Sequence, residues 1–488
     1  MNPLLACDAL PAFDRIQPEH IQPAIEQALS DCRQVVAQAL AAESISWDSV
    51  VLPLEEANDR LSRIWAPISH LNAVCSTPAL RQAHDACLPL LSEYHTWLGQ
   101  HQGLYQRYQQ LHDSQQFGQW PAAQQQALAL ALRDFRLTGV ALAAADKQRY
   151  AAIAARLSEL GAQFANQLLD ATQAWSWHCQ DAGQLPGLPS SALEAAAARA
   201  QAAGREGYLF TLDLPAYLPV ITYCQQRELR REFYQAYATR ASELGPNGGE
   251  FDNGPLMREL LALRHEQAQL LGFSDFAELS LAAKMAPSTT AVEQFLLDLA
   301  ARARPQAEAD LAELRDFARS QLGLDELQAW DIGFASEALK QARYQLSDEQ
   351  LRPWFPQPVV VAGLFAVAER LFGVRCLPRT EIICPHPEAR YYAIVAADGR
   401  ELGGAQGQGL QADAAERGRH QRGALHMAGL AVLVDDGVQR HRIVGGRRGK
   451  GHPGFGVRRD AQAHAQGGDR VQAGLAGRGR VAGVRRGG

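Results

Sequence analysis

Residues Tyr208–Lys284 read YLFTLDLPAYLPVITYCQQRELRREFYQAYATRASELGPNGGEFDNGPLMRELLALRHEQAQLLGFSDFAELSLAAK, and this stretch decides the fold. It opens with apolar/polar alternation, the period of a strand, and Pro215 and Pro219 break that strand. A helix is predicted from about Thr222 to Ser242, because Leu229, Phe233, Tyr237 and Ala241 recur every four residues. The turn Gly245-Pro246-Asn247-Gly248-Gly249 stops it. A second helix carries Leu256, Leu260, Leu263 and Leu270 on one side, and Gly272 ends it. Pattern alone makes this a helical hairpin inside a core.

The same alphabet extends outward. Residues 2–17 are Pro-rich and aperiodic and read as an extended arm. A helix starts at Pro18, since proline suits the first helical position, and Ile21, Ile25, Ala28, Cys32, Val35 and Ala39 share a face. Further helices are expected over Leu54–Val74, from Thr77-Pro78 through Leu98, over Ala122–Leu137 and over about Asp146–Trp177. Others fit Ser190–Ala203, Pro287–Leu322, a short piece from Ser347, and Val359–Phe372. The fold class is therefore mostly α, with long helices and a little β. Three parts are expected: a helical domain over 1–207, a mostly helical part over 208–402, and a tail over 403–488.

Composition bounds the class further. A chain of 488 residues can bury a large core, and 47% apolar with 20% charged residues describes an ordinary soluble protein. No signal peptide is read at the start, and no run reaches the ~18 apolar residues of a membrane span. The eight cysteines are scattered without a CxxC, which suits free thiols in a reducing cytoplasm. The net charge of −6 hides an asymmetry. Residues 403–488 hold 15 Lys+Arg against 6 Asp+Glu and carry +9, leaving −15 for residues 1–402.

That tail also contains 22 glycines in 86 positions and Phe455 as its one aromatic residue. Such text cannot repay ordering entropy, so disorder is expected. Just before it, Asp398-Gly399 is a hairpin turn after a strand over Tyr391–Val395. The returning strand begins at Arg400-Glu401-Leu402 and then meets Gly-Gly-Ala-Gln-Gly, so a broken hairpin is expected. Arg/Gly/Ala-rich text with few aromatics is what an out-of-frame reading of GC-rich DNA gives, and a frame change near Gly403 is the reading adopted. A nucleic-acid-binding tail is the rival, but it would interleave aromatics for stacking.

Several phrases resemble one known family. TYC, LR, YQAYATRAS, GPN, FDN and LALRHE within 222–266 do so, as do NPLL at Asn2–Leu5 and PLLSEYHTWLGQHQGLY at Pro89–Tyr105. RLSELGAQFANQLLDAT at Arg156–Thr172 and LSDEQLRPWFP at Leu346–Pro356 add to them. Together they are similar to the thimet oligopeptidase family of zinc metallopeptidases, over residues 2–403 and not beyond. The resemblance implies an elongated, mostly helical body with small β hairpins and a deep channel that admits oligopeptides. It further implies a cytoplasmic, monomeric hydrolase with a zinc-bound water as nucleophile. No membrane or nucleic-acid partner is implied.

The family's chemistry requires His-Glu-x-x-His on a helix. Two imidazoles one turn apart then grip Zn²⁺, and the glutamate polarises the bound water. The sequence contains no such run. His265-Glu266 is the nearest start, but Gln269 stands where the second histidine is needed. His84, His95, His101 and His112 lack metal-pair spacing, and Cys384-Pro385-His386 has no partner pair. His420, His426, His441, His452 and His464 have no acidic partner at a ligand spacing. Gly449-Lys450 fails as a phosphate loop, since Val444 and Gly451 replace the required Gly and Ser/Thr. No catalytic residue, metal ligand or substrate-binding residue is therefore assigned. No zinc is expected to bind specifically, and the expected product is an inactive body or a weak peptide binder.

Overall fold

The computed structural model describes residues 2–6, 10–385 and 389–408. The tail beyond 408, with its histidines and its Gly449-Lys450, lies outside the described residues, as do Cys7 and His386. The first layer is built from α1 (Pro18–Ala41), α2 (Leu52–Val74), α3 (Pro78–Gly99), α4 (Gln102–His112) and α5 (Ala122–Leu137). Proline at the first position and local caps start these helices. Thr77 accepts the Leu80 N–H at 3.2 Å, and Gln17 with His20 forms a reciprocal box at α1. Two apolar cores result. One gathers Ile21, Ile25, Ile64, Ile68 and Tyr94 among α1, α2 and α3. The other gathers Val36, Leu54, Leu104, Leu128 and Phe135 where α4 and α5 close on the other ends of α1 and α2. Each fully buried Ile or Leu contributes about 1.5–3 kcal/mol of transfer energy.

α6 (Ala144–Ala174) leads to β1 (Ser176–Cys179), α7 (Ser190–Ala202) and β2 (Tyr208–Thr211). The helix expected to reach Trp177 stops at Ala174, because Trp175, Trp177 and Cys179 alternate with Ser176 and His178 at strand period. β1 pairs antiparallel with β2, Trp177 facing Phe210. The decisive stretch then departs from expectation. β2 ends at Thr211, and the prolines sit within a helix, α8 (Leu214–Tyr223), followed by α9 (Arg227–Thr239). Pro215 occupies the first turn, where its missing N–H costs nothing, and Pro219 forfeits one bond of a short, well-packed helix. Ala241, expected on the helix face, lies beyond its end with φ +55°. Phe210, Phe233, Val220 and Cys224 form the core of this part.

The remaining elements are α10 (Gly254–Leu270), α11 (Phe276–Leu281), α12 (Thr289–Leu322), α13 (Ile332–Tyr344), α14 (Asp348–Leu351), α15 (Gln357–Phe372), β3 (Arg375–Pro378), β4 (Ala389–Val395) and β5 (Glu401–Gln408). α10 lies along α6 in antiparallel register. Arg149 makes a double ion pair with Glu266, and Arg156 one with Glu259, so both ladders step by seven residues. Seven residues are close to two helical turns, which keeps both pairs on the shared face.

The hairpin is not broken at Leu402. β5 runs on to Gln408 and pairs with β4 in register from Ala389↔Gln408 to Ala393↔Gly404. The physical reason is Tyr391, whose ring lies where a Cβ at Gly404 would have to be. The glycine that lowers strand propensity is what lets the aromatic ring cover the strand. The three strands run antiparallel in the order β3-β4-β5, with Tyr391, Ala393 and Val395 buried beneath Leu10 and Leu377.

Candidate functional site

His265 and Glu266 project from α10, at the position where a helical metal motif would begin. His265 is exposed, and Glu266 is engaged by Arg149 Nε and Nη2, each at 2.5 Å. That pairing holds the Glu266 carboxyl below its usual range. Gln269, one turn on, donates to the Ser274 carbonyl at 2.8 Å. A carboxylate clamped by a guanidinium and an amide in place of an imidazole do not fit zinc. Among the described residues no group of three His, Cys, Asp or Glu side chains is disposed to hold a metal ion.

The other imidazoles have local structural partners. His101 Nδ1 accepts the Leu104 N–H and so caps α4, and burial pushes its pKa down. His84 stacks on Trp65 at 4.8 Å and meets Asp85 at 2.9 Å. His112 meets Asp113 at 3.0 Å, and His95 is exposed beside Tyr94. The described cysteines are all free. Cys32, Cys87, Cys179 and Cys224 are buried, and Cys75, Cys376 and Cys384 are half-buried. Burial pushes Cys87 up to about 11, far from a reactive thiolate.

One charged cluster was not visible in the sequence. Asp331, fully buried ahead of α13, accepts from Arg230 Nη2 at 2.7 Å, Arg227 Nη2 at 2.7 Å and the Gln328 N–H at 3.1 Å. Arg230 is itself buried, donates to the Cys224 carbonyl at 2.7 Å, and lies 4.2 Å from the centre of the Phe334 ring. Burial pushes the Asp331 carboxyl up, and the hydrogen bonds from Arg227, Arg230 and Gln328 outweigh it, leaving it below the usual range. The partners stand about a hundred residues apart in sequence, so no local pattern announces them. Beside the cluster lies an open recess of about 590 Å³ lined by Arg227, Glu228, Arg231, Glu326, Gln328 and Trp330. It presents two guanidinium and two carboxylate groups, with no nucleophile or metal-ligand set.

α12 and α15 leave apolar side chains uncovered. On α12, every residue from 293 to 310 is exposed, including Phe295, Leu296, Leu297 and Leu299. On α15, QPVVVAGLFAVAERLF, only Val361 is buried, while Val359, Val367, Leu371 and Phe372 are all more than half exposed. A helix apolar on every side is the composition of an element enclosed by others.

Comparison with known proteins identifies what this body belongs to. Residues 220–429 match the model of peptidase family M3, and residues 25–147 match the N-terminal domain of the neurolysin/thimet oligopeptidase type. Oligopeptidase A of Salmonella typhimurium is 52% identical over 394 residues, covering 80% of this chain and 58% of that protein. Oligopeptidase A of Escherichia coli is 51% identical over 394 residues, with the same coverage. The chain belongs to peptidase family M3, in its thimet oligopeptidase branch. It spans a little under three-fifths of the length of the curated relatives it matches. A putative oligoendopeptidase F from Bacillus anthracis is a structural neighbour at TM-score 0.40 and 17% identity, covering 64% of this chain and 48% of that one. The M3 match runs to residue 429, while the likeness to the two oligopeptidases A covers 394 residues. The mostly helical body with small antiparallel sheets is as the resemblance implied. No helix among the described residues is long and apolar enough to cross a membrane.

Proposed function

We propose that this chain is the N-terminal body of a zinc-dependent oligopeptidase, lacking the residues that bind the metal, and that alone it does not hydrolyse peptides. One observation carries the reading. The likeness to oligopeptidase A is continuous at about half identity, yet it covers only 58% of those proteins, and the sequence contains no His-Glu-x-x-His run. In the intact family enzyme zinc supplies both the Lewis acid and the activated water. Groups of that kind account for ~8 kcal/mol or more of barrier lowering, and no described residue of this chain substitutes for them. What this body contributes is shape, as one wall of a channel for oligopeptides.

A cytoplasmic location goes with the reading, supported by a plant relative named a probable cytosolic oligopeptidase A, and a monomeric state is proposed with it. A change of reading frame near Gly403 accounts for the Gly/Arg-rich text that follows. The test is direct. The purified chain, supplied with Zn²⁺, is assayed on a quenched fluorescent oligopeptide. The reading expects no chelator-sensitive turnover, and such turnover at any steady rate would refute it. Calorimetry with the same peptide then separates a weak binder from an inert body.

A further inference from the structure

Two half-buried thiols, far apart in the sequence, come together where the first helical layer meets the β3-β4-β5 sheet. Cys75 closes α2. Its N–H donates to the Leu71 carbonyl at 2.8 Å, and its side chain packs on the core of α1, α2 and α3. Its Sγ donates to the Pro385 carbonyl at 3.4 Å, across 310 residues of chain. Pro385 directly follows Cys384, in the connection between β3 and β4, where residues 379–385 form neither helix nor strand. Cys384 packs against the core of Tyr391, Ala393 and Val395, and its Sγ lies 4.0 Å from the Ile382 carbonyl oxygen. In a trans chain a carbonyl oxygen lies within about 6 Å of the preceding residue's Cα, so the Cys75 sulfur already borders Cys384. A disulfide needs Cα atoms about 4.4–6.8 Å apart. The Cys384 side can supply the adjustment, because past Pro378 the strand ladder has ended and a turn bond from the Ile382 N–H to the Arg379 carbonyl replaces it.

We propose that Cys75 and Cys384 form a reversible disulfide when the chain meets a peroxide, tying the end of α2 to the β3–β4 connection. Both thiols keep part of their surface open to a small oxidant, whereas Cys32 and Cys87 are closed inside the core of α1, α2 and α3, and Cys179 and Cys224 inside the core around Phe210 and Phe233. One thiolate attacks hydrogen peroxide, the O–O bond breaks, and a sulfenic acid and hydroxide result. The other thiol attacks that sulfur, the S–O bond breaks, and the S–S bond forms as water leaves. The hydroxide takes up the remaining thiol proton, so two thiols and one peroxide give one disulfide and two waters. A thiol reductant reverses the bond by exchange, which makes it a latch rather than a permanent staple. Closing so long a loop restricts the unfolded chain, so the oxidised form is the more stable one.

The latch is independent of whether the chain hydrolyses peptides. To test it, the full chain is reduced, freed of reductant and treated with a small excess of hydrogen peroxide. Remaining thiols are blocked, and the protein is digested and mapped by mass spectrometry without reduction. The expected result is an intact mass lower by two hydrogens, a peptide pair joining Cys75 to Cys384, and reversal of both by dithiothreitol. The thermal midpoint of the oxidised chain should lie several degrees above that of the reduced chain. Cys75→Ser and Cys384→Ser should each abolish the mass loss and the rise, while Cys376→Ser leaves both in place. The bond map of the unmutated chain decides the matter even where a serine variant folds poorly. Three outcomes would overturn the proposal: Cys75 and Cys384 oxidised singly to sulfinic acids, either of them bonded to another cysteine or to a second chain, or both still free after peroxide treatment.

Discussion

Asp331 shows how a single residue can tie distant parts of this body together. Its carboxylate is buried with Arg230 and reached by Arg227, joining α9 to the start of α13. Removing one partner of a buried pair leaves the other charge uncompensated, which costs about 3–5 kcal/mol. Asp331→Asn is expected to lower stability by that order at pH 7, measured by urea unfolding. The folded-state carboxyl lies below the ordinary value, so its stabilisation is present above the unfolded pKa of about 4 and is lost as pH falls through the folded value. The difference between Asp331→Asn and the parent should therefore shrink in acid. A gap constant from pH 7 to pH 3 would show that the carboxylate is not the stabilising species. Gly404 is the complementary case, a residue required for what it lacks. Gly404→Ala should cost about 1–3 kcal/mol through collision with the Tyr391 ring, and much less in a Tyr391→Ala background. Equal costs in the two backgrounds would remove Tyr391 from the explanation.

At the scale of elements, what the sequence could show depended on whether the signal was local. α1, α3 and α5 were legible almost to the residue, because a proline or a capping threonine marks the start and an apolar stripe marks the run. α8 was not, because two prolines in ten residues read as a break, and only tertiary burial of Ala216, Tyr217, Val220 and Ile221 overrides that. The end of α6 was missed because Trp175 and Trp177 satisfy both the helical and the strand period, and pairing with β2 settles it. β5 was missed because its glycines are explained by a ring on another strand. Nothing local reveals the Asp331 cluster or the α6–α10 ladder, whose partners lie about a hundred residues apart. α15 was read correctly as a helix, but its exposure could be learned only from the folded chain. For the chain alone, Leu364→Lys with Leu371→Lys should leave stability within about 0.5 kcal/mol and reduce binding of a hydrophobic dye. A loss of several kcal/mol would mean that this face of α15 is already covered.

At the scale of the whole molecule, a zinc helix is a short local motif that can be searched for outright, and the sequence contains no His-Glu-x-x-His run. The structure adds that the nearest approach to it, on α10, is committed to bridging α6. It also adds that α15 and the N-terminal part of α12 expose apolar side chains. A break in the reading frame predicts that the genomic DNA downstream of codon 403 encodes a His-Glu-x-x-His run in another frame. Continuous in-frame text without such a run in any frame would contradict it.

The central claim is that this body was left without the side chains that grip the family's ion. Equilibrium dialysis of the full chain against nanomolar Zn²⁺, read by elemental analysis, tests it most directly. The account predicts far less than one zinc per chain, whereas one tightly held zinc per chain, released by chelator, would contradict it.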